Sequence, residues 1–302
     1  MRLRIAQVGM GHGHAAGKWQ ALCTNPEVEA LGPFETVEEA LADSAVVAVA
    51  VETRNHESLT PAAAAVAAGK HLWFDKPAGD NWPAFQRLMA DAQQRGLHVQ
   101  MGYMFRYSPG FGRVAELARS AQLGDIFEVR AHMSTNIDMA ERKRQSVHLG
   151  GILYDLSGHM LDQIVWLLGR PTRIHTVLHN EATPEAPAYS DNTVCVLDFP
   201  RAVAIVDIAA MEPRPTARRF EVYGTAGSAI VEPFDPARTL RLAQGEREEL
   251  IQLPIVDRQE LYNRELVSFV NVLRGEAQPD RPPAHELLVQ ETLLRATGRL
   301  TS

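Results

Sequence analysis

The 302-residue chain has few of the features that mark disulfide-rich, membrane or nucleic-acid-binding proteins. Its two cysteines, Cys23 and Cys195, exclude a disulfide framework and favour a reducing compartment. No apolar run approaches the roughly 18–20 residues that span a bilayer, and the start "MRLRIAQVGMGHGH" has no apolar signal-peptide core. The net charge of -7 disfavours a nucleic-acid-binding face. We therefore expect a cytoplasmic protein with no membrane or nucleic-acid partner.

The remaining composition is that of an ordinary globular chain long enough for about two domains. At its start, short apolar runs such as "AVVAVAV" alternate with helix-like segments such as "SLTPAAAAVAAGK". This alternation predicts an α/β fold with a parallel, doubly wound sheet. After about Ser120 the segments are β-rich and predict a large, mostly antiparallel sheet, with one long helix at "GILYDLSGHMLDQIVWLLG" and two closing helices. We predict a Rossmann domain over residues 1–120 and an α+β domain over residues 121–302.

A glycine-rich turn, "GMGHG", follows the first predicted strand and precedes the first predicted helix. Gly9 allows a sharp turn, and Gly11 allows the backbone to approach a pyrophosphate at the helix N-terminus. His14 stands where the usual G-x-G-x-x-G pattern has its third glycine, so a plain strand–helix turn is the alternative. His12 and His14 could ligate a metal, but the neighbouring sequence holds no Cys, Asp or Glu, and we expect no metal.

Three residue types suited to alcohol oxidation occur farther along the chain. Lys76 follows a predicted strand in "WFDKPAG", and Asp155, His159 and Asp162 share one face of the long helix. His159 can accept the hydroxyl proton, Asp155 can orient the imidazole or a neighbouring hydroxyl, and Lys76 can stabilise developing negative charge. Hydride transfer would need a nicotinamide cofactor. The alternatives are a surface lysine and a core histidine bonded within its own helix.

Together these motifs resemble the glucose–fructose oxidoreductase / inositol dehydrogenase / MocA family (Gfo/Idh/MocA) over nearly the whole chain. The family's Glu-Lys-Pro motif appears as "DKP" at 75–77, and its Gly-Gly-x-x-x-Asp-x-x-x-His motif appears as "GGILYDLSGH" at 150–159. The segment "GYMFRYSP" resembles the one after the fifth strand, and "RRFEVYGTAGSAIVE" resembles the late sheet hairpin.

The resemblance implies NAD or NADP as cofactor, a sugar, cyclitol or related polyol as substrate, and a homo-oligomer, dimer or tetramer, built through the C-terminal sheet. The implied catalytic residues are Lys76, Asp155 and His159. The implied cofactor-binding residues are Gly9, Gly11, His12, Gly13, His14, Thr53, Arg54, Asn55, His56, Asp75 and Lys76. The implied substrate-binding residues are Lys76, Tyr103, Arg106, Asp155 and His159.

The chain departs from the family pattern in three places. Asp75 replaces the glutamate of Glu-Lys-Pro, and "TR" at 53–54 replaces a Thr-Pro pair, which adds a positive charge near the cofactor. Gly32 falls where the ribose-binding acid of the second strand is expected, Glu35 is the nearest carboxylate, and a helix and a strand are missing before Thr53. Cofactor binding is therefore weakened at the adenosine end, limited to the nicotinamide half, or completed by a partner subunit.

Three functions follow from these observations. The leading one is an NAD(P)-dependent sugar or polyol dehydrogenase. A redox-assisted glycosidase or lyase would use the same residues but recycle its NAD, so reduced nicotinamide would not accumulate. A carbohydrate- or partner-binding scaffold that has lost its cofactor site would bind neither NAD nor NADP.

Overall fold

The structure is a computed structural model that describes residues 1–301. The strands within this range are β1 (Leu3–Val8), β2 (Val28–Phe34), β3 (Ala48–Val51), β4 (His71–Phe74), β5 (Val99–Met101), β6 (Ile126–His132), β7 (Arg173–His179), β8 (Asn192–Asp198), β9 (Val203–Ala209), β10 (Arg219–Gly224), β11 (Ser228–Val231), β12 (Thr239–Gln244) and β13 (Arg247–Gln252). The α-helices are α1 (Ala15–Thr24), α2 (Val37–Leu41), α3 (Leu59–Ala67), α4 (Trp82–Gln94), α5 (Pro109–Arg119), α6 (Met139–Gln145), α7 (Ile152–Leu168), α8 (Arg258–Leu273) and α9 (Pro283–Ala296). Among the described helices, none has the length and apolar character needed to cross a bilayer.

The chain divides into two compact units, which are described separately below. The first consists of residues 1–104 and 259–290, so it includes nearly all of α8. The second consists of residues 105–258 and the chain from Glu291 onward. The predicted domain boundary near residue 120 stays a prediction.

The first unit contains a five-stranded parallel sheet in the order β2-β1-β3-β4-β5. A six-stranded Rossmann sheet has the order 3-2-1-4-5-6, so the observed order is that of a Rossmann sheet without its third strand. The short helix α2 leads directly from β2 to β3. The predicted abbreviated Rossmann domain is therefore confirmed.

The second unit contains an eight-stranded sheet in the order β13-β12-β11-β10-β6-β9-β8-β7. β6 and β9 pair in parallel and the other neighbours pair antiparallel, which confirms the predicted mostly antiparallel sheet. α7 packs against β6, β8 and β9. The side chains of Val129, Leu197 and Val206 are buried on these strands. This packing holds α7, the helix that contains Asp155 and His159, on the sheet.

The structure of β2 corrects the expected position of Gly32 at the end of this strand. Ala6 pairs with Leu31 and Val8 pairs with Phe34, so β2 has one residue more than β1 over this stretch. Gly32 lies inside this bulge with φ +100°, where an added Cβ would come within 2.8 Å of the Gln7 carbonyl oxygen. Gly32 is therefore an interior residue of the strand and not the residue at its end.

Candidate active site

The carboxyl edge of the five-stranded sheet brings together residues that are distant in the sequence. The strand register places Phe34, Val8, Val51, Phe74 and Met101 side by side. The residues that follow them are Glu35, Gly9, Glu52, Asp75 and Gly102. Ligands of open α/β sheets bind at this edge, so it is the expected position of a cofactor.

The glycine turn packs closely against the chain segment that follows β3. Gly9 has φ +83°, and an added Cβ would lie 2.6 Å from Thr53 Cγ2. A Cβ on Gly11 would lie 3.0 Å from Arg54 Cγ. The His12 N–H donates to the Glu52 carbonyl oxygen at 3.0 Å. Both glycines are therefore needed for the close approach of the turn to residues 53–54.

The same turn offers hydrogen-bond donors to an anion. Within residues 1–301, the N–H groups of Met10, Gly11 and Gly13 donate to no protein acceptor. A Cβ added to Gly13 would have no heavy atom within 4 Å, so the space beside it is open. Free N–H groups at the start of a helix attract negative charge. This donor set fits the pyrophosphate of a dinucleotide.

The two histidines of the turn point toward Asp75. His12 Nδ1 and His14 Nδ1 each lie 3.1 Å from Asp75 Oδ2. The neighbouring sequence holds no carboxylate, but Asp75 reaches these histidines from the end of β4, 61 positions after His14. Sequence proximity could not reveal this contact.

Behind the histidines lies a group of buried charges, the ionic cluster, formed by Lys18, Glu52, Asp75 and Glu265. Lys18 Nζ lies 3.2 Å from Glu52 Oε1, 3.2 Å from Asp75 Oδ2 and 3.6 Å from Glu265 Oε1. All four side chains are at most 3% exposed. Charges buried this deeply are stable only when they are paired and hydrogen-bonded.

Two further residues shape the cluster. Trp73 Nε1 donates to Glu265 Oε1 at 2.6 Å, and Lys18 Nζ lies 4.5 Å from the centre of the Trp73 ring. A Cβ added to Gly102 would lie 2.6 Å from Asp75 Oδ1 and 2.7 Å from Lys18 Nζ. The cluster therefore occupies the space that a side chain at position 102 would need.

The cluster shifts the pKa values of its members in opposite directions. Burial and the nearby Asp75 charge raise the pKa of Glu52 well above its usual range. Burial alone would raise the pKa of Asp75, but His12, Lys18 and His14 lower it well below its usual range. Burial lowers the pKa of His14 to about 4, although Asp75 opposes this shift. Asp75 therefore stays ionised, Glu52 holds a proton more readily, and the His14 imidazole is neutral at pH 7.

Lys76 directly follows the cluster. Its backbone N–H donates to Asp75 Oδ1 at 2.6 Å, and the residue is 2% exposed. The next turn is braced by Gln290, whose side chain accepts from the Ala78 N–H at 3.3 Å and donates to the Gly79 carbonyl oxygen at 2.6 Å. The position of Lys76 is therefore fixed by backbone contacts on both sides.

The remaining predicted cofactor residues lie on the segment between β3 and α3. The Asn55 carbonyl oxygen accepts from Ser58 Oγ at 2.9 Å, and it would lie 3.1 Å from a Cβ on Gly79. The His56 side chain is 44% exposed and lies 3.2 Å from Glu57 Oε1. The structure thus brings 53–54 to the glycine turn and leaves the His56 side chain largely in solvent.

In the second unit, a glycine pair sets the start of α7. Gly150 has φ +85° and Gly151 has φ +49°. A Cβ on Gly151 would lie 2.4 Å from the Ser190 carbonyl oxygen, which accepts from the Ile152 N–H at 2.9 Å. Only glycine fits at position 151 without displacing the Ser190 backbone, so the pair fixes where the helix begins.

Asp155 lies in the first turn of α7, where the helix dipole favours a carboxylate. Gln145 Nε2 donates to Asp155 Oδ2 at 3.1 Å and to Glu141 Oε1 at 3.1 Å. Tyr189 OH donates to Gln145 Oε1 at 2.8 Å. Burial and the Asp155 charge raise the pKa of Tyr189, so its hydroxyl stays protonated and donates. Tyr189 thereby fixes the amide orientation that directs Gln145 Nε2 at Asp155.

His159 and Asp162 lie one and two turns farther along α7. His159 is 2% exposed, and its ring meets the Phe105 ring at 5.0 Å between centroids, nearly at right angles. Arg106 Nη2 donates to Asp162 Oδ1 at 2.7 Å, and both side chains are buried. The guanidinium of Arg106 is thus engaged by Asp162. Tyr103, at the end of the first unit, is 1% exposed.

The structure brings Asp155 and His159 onto one helix of the second unit and places Lys76 in the first unit. That Lys76, Asp155 and His159 act as one catalytic set stays a prediction, as do the substrate-binding roles of Tyr103 and Arg106.

Comparison with known protein families gives two matches along the chain. Residues 8–103 match the model of the oxidoreductase family with an NAD-binding Rossmann fold, and residues 111–230 match the GFO/IDH/MocA C-terminal domain. The chain belongs to the GFO/IDH/MocA oxidoreductase family. The resemblance stated from the motifs is therefore confirmed.

Two relatives show how similar this chain is to other proteins in sequence and in length. The uncharacterized oxidoreductase YdgJ of Escherichia coli K12 is 29% identical over 66% of this chain and 57% of its own length. The 1,5-anhydro-D-fructose reductase of Ensifer adhaerens is 24% identical over 81% of this chain and 74% of its own length. The chain thus spans less than three fifths of the length of YdgJ.

A solved structure with the GFO/IDH/MocA fold superimposes on nearly the whole chain. GenD2 from gentamicin A biosynthesis, in complex with NAD, has a TM-score of 0.81 and 24% identity, over 98% of this chain and 94% of GenD2. At this identity the likeness shows the fold.

The sequence of this GFO/IDH/MocA chain did not predict several residues of the candidate site. The missed residues are Lys18, Glu52, Trp73, Gln145, Tyr189 and Glu265. A signal existed for two of them. Lys18 interrupts the buried face of α1 between Ala15 and Ala21, and Glu52 directly follows a fully buried strand. Gln145 and Tyr189 carry no comparable pattern.

Proposed function

We propose that the protein is an NAD-dependent oxidoreductase that transfers hydride to or from a hydroxyl-bearing carbon of a sugar, cyclitol or related polyol. The observation that carries this proposal is the carboxyl edge of the parallel sheet, where His12 and His14 join the donor-rich glycine turn to Asp75, next to Lys76. The family domain at this edge is an NAD-binding one. A relative named 1,5-anhydro-D-fructose reductase supports a carbohydrate substrate.

The nicotinamide dinucleotide supplies the hydride donor or acceptor when bound, and residues 9–14 and 53–56 would hold it. His159 accepts the proton of the substrate hydroxyl. Asp155, held by Gln145, orients the imidazole or a neighbouring hydroxyl. The ammonium group of Lys76 stabilises the negative charge that develops on the substrate oxygen.

We further propose NAD in preference to NADP, because the end of β2 is acidic. Glu35 is the first residue after β2, is exposed, and lies where a Rossmann domain holds the adenosine ribose. Glu39 Oε2 accepts the N–H groups of Glu35 and Thr36 at 3.1 and 3.0 Å, so a carboxylate already caps α2. A 2′-phosphate at this position would be repelled by both carboxylates.

Calorimetric titration tests the cofactor proposal. We expect NAD to bind at least about 10-fold more tightly than NADP, since a carboxylate favours the ribose hydroxyls and repels phosphate. Glu35→Gln should weaken NAD binding by about 10-fold, and the exposed Glu38→Gln is the matched control. Equal affinities for the two dinucleotides would contradict the preference, and absent binding of both would refute the oxidoreductase proposal.

Turnover is measured as absorbance of the reduced nicotinamide band with a panel of sugars and cyclitols. We expect one reduced nicotinamide per oxidised substrate, whereas product without net reduction would indicate the recycling glycosidase or lyase. His159→Asn should lower turnover by about 10²-fold or more and leave NAD affinity nearly unchanged. The scaffold alternative is not favoured, because the turn retains a phosphate-binding donor set in an NAD-binding family.

We also propose that the protein forms a homo-oligomer through the eight-stranded sheet. Val177 on β7 and Val194 on β8 lie directly opposite each other and are 56% and 38% exposed. Contact with a second copy of the chain would remove this apolar surface from water. Light scattering should show a dimer or tetramer, and Val177→Lys should shift it toward monomer. A monomeric wild-type protein would refute this proposal.

A further inference from the structure

The three side chains at the start of α1 and the end of β4 have the composition of a metal site. We propose that His12, His14 and Asp75 bind a divalent transition-metal ion such as Zn²⁺. One possible ligand atom from each of the three side chains lies within 4.8 Å of the other two. This inference does not depend on the proposed oxidoreductase function.

The distances from the two imidazoles to the carboxylate are close to those of tetrahedral coordination. Metal–ligand bonds of about 2.0–2.1 Å place neighbouring ligand atoms roughly 3.3 Å apart. Each histidine Nδ1 lies 3.1 Å from Asp75 Oδ2. Outward movement of a few tenths of an ångström would bring both of these distances to the tetrahedral value. Two imidazoles and one carboxylate form a ligand set suited to zinc and similar ions.

The charge balance of the ionic cluster favours a cation. The ion pairs of Glu52, Asp75 and Glu265 converge on the single ammonium group of Lys18. A divalent ion beside Asp75 would add positive charge to a cluster in which three buried carboxyl groups contact one ammonium group. Lys18 can release Asp75 Oδ2 because it also contacts Glu52 and Glu265, at 3.2 and 3.6 Å.

A metal ion needs one particular tautomer of each histidine and a route of access. Binding requires each Nδ1 to be free of hydrogen, with the ring proton on Nε2. The side chains of His12 and His14 are 7% and 12% exposed, and the space beside Gly13 is open. An ion can therefore enter from the glycine turn, where water would complete its coordination.

Titration of the full-length protein with Zn²⁺ after EDTA treatment tests this proposal, with no dinucleotide present. We expect one ion per chain in calorimetry, and a visible absorption band of a tetrahedral ion when Co²⁺ is used instead. His12→Asn and His14→Asn should each weaken binding by about 100-fold or more. The exposed His179→Asn, on β7, is the matched control and should bind as the wild type does.

Two results would overturn the proposal: no stoichiometric Zn²⁺ binding by the wild-type protein, or unchanged binding when both His12 and His14 are replaced. Circular dichroism reports whether each variant is folded. If a variant fails to fold, the wild-type Co²⁺ spectrum decides, because a six-coordinate spectrum contradicts the tetrahedral site. Because the titration contains no dinucleotide, its failure leaves the oxidoreductase proposal intact.

Discussion

Replacing His14 by Asn should remove part of the acid sensitivity of the first unit. Burial lowers the pKa of His14 from 6.5 to about 4 in the folded protein. As the pH falls below 6.5, the unfolded chain binds a proton at this position and the folded chain does not. The free energy of unfolding therefore falls with decreasing pH, until the folded imidazole is also protonated near pH 4.

The size of the effect follows from these two pKa values. The loss of stability from His14 is about 2 kcal/mol between pH 7 and pH 5, and about 3 kcal/mol by pH 4. Asn does not titrate, can place an amide near the position of Nδ1, and is favoured at the N-cap of α1, where His14 stands. The variant should therefore show a flatter pH dependence without losing the contact to Asp75.

Urea unfolding at pH 5–7.5 in EDTA, followed by tryptophan fluorescence, measures this difference. A Trp166→Phe background removes the tryptophan of the second unit. The tryptophans that remain are Trp19, Trp73 and Trp82, all in the first unit. The exposed His56→Asn is the control for the loss of an imidazole. If the curves for wild type and His14→Asn stay parallel within about 0.5 kcal/mol over this range, the reasoning is refuted.

Three further predictions concern the two units separately. Gly151→Ala should destabilise the protein by about 3 kcal/mol or more in thermal unfolding, because the residue has a left-handed φ and its Cβ would clash with Ser190. A loss of stability below about 1 kcal/mol would contradict this prediction. Trp73→Phe should cost about 3 kcal/mol in urea unfolding, since Glu265 loses a buried donor, and an unchanged midpoint would argue against that bond. Gln145→Leu should lower kcat by about 10-fold and shift the pH dependence of kcat, while KM for NAD stays unchanged. A loss of stability alone would show that Gln145 has only a structural role.

The sequence predicts a helix or strand well when its residue pattern matches the burial and the space that the folded protein provides there. The apolar run "AVVAVAV" forms the buried strand β3, and the glycine pair at 150–151 begins α7 because Ser190 leaves no space for a side chain. By contrast, α6 has a polar composition with no clear apolar face, and β13 carries charged residues at the edge of its sheet. Edge strands are often charged, so their hydrophobic alternation is weak.

The candidate site was predictable only where its residues are local motifs. Gly9, Lys76 and His159 stand in recognisable patterns, and the structure keeps each at a strand end or on a buried helix. The ionic cluster could not be predicted, because strand register and a helix near the end of the chain assemble it. The pairing register of β3 and β4 makes Glu52 and Asp75 neighbours. Lys18 and Glu265 come from opposite ends of the sequence.

The late position of α8 has a consequence for synthesis of the protein. Glu265 receives the indole N–H of Trp73, and Gln259 Nε2 donates to the Gly17 carbonyl oxygen at 2.9 Å. A nascent chain that has left the ribosome only as far as β5 therefore carries the Trp73 indole without its acceptor, Glu265. The first unit can therefore be completed only after α8 has been translated. A gene truncated after β5 would encode an incomplete folding unit.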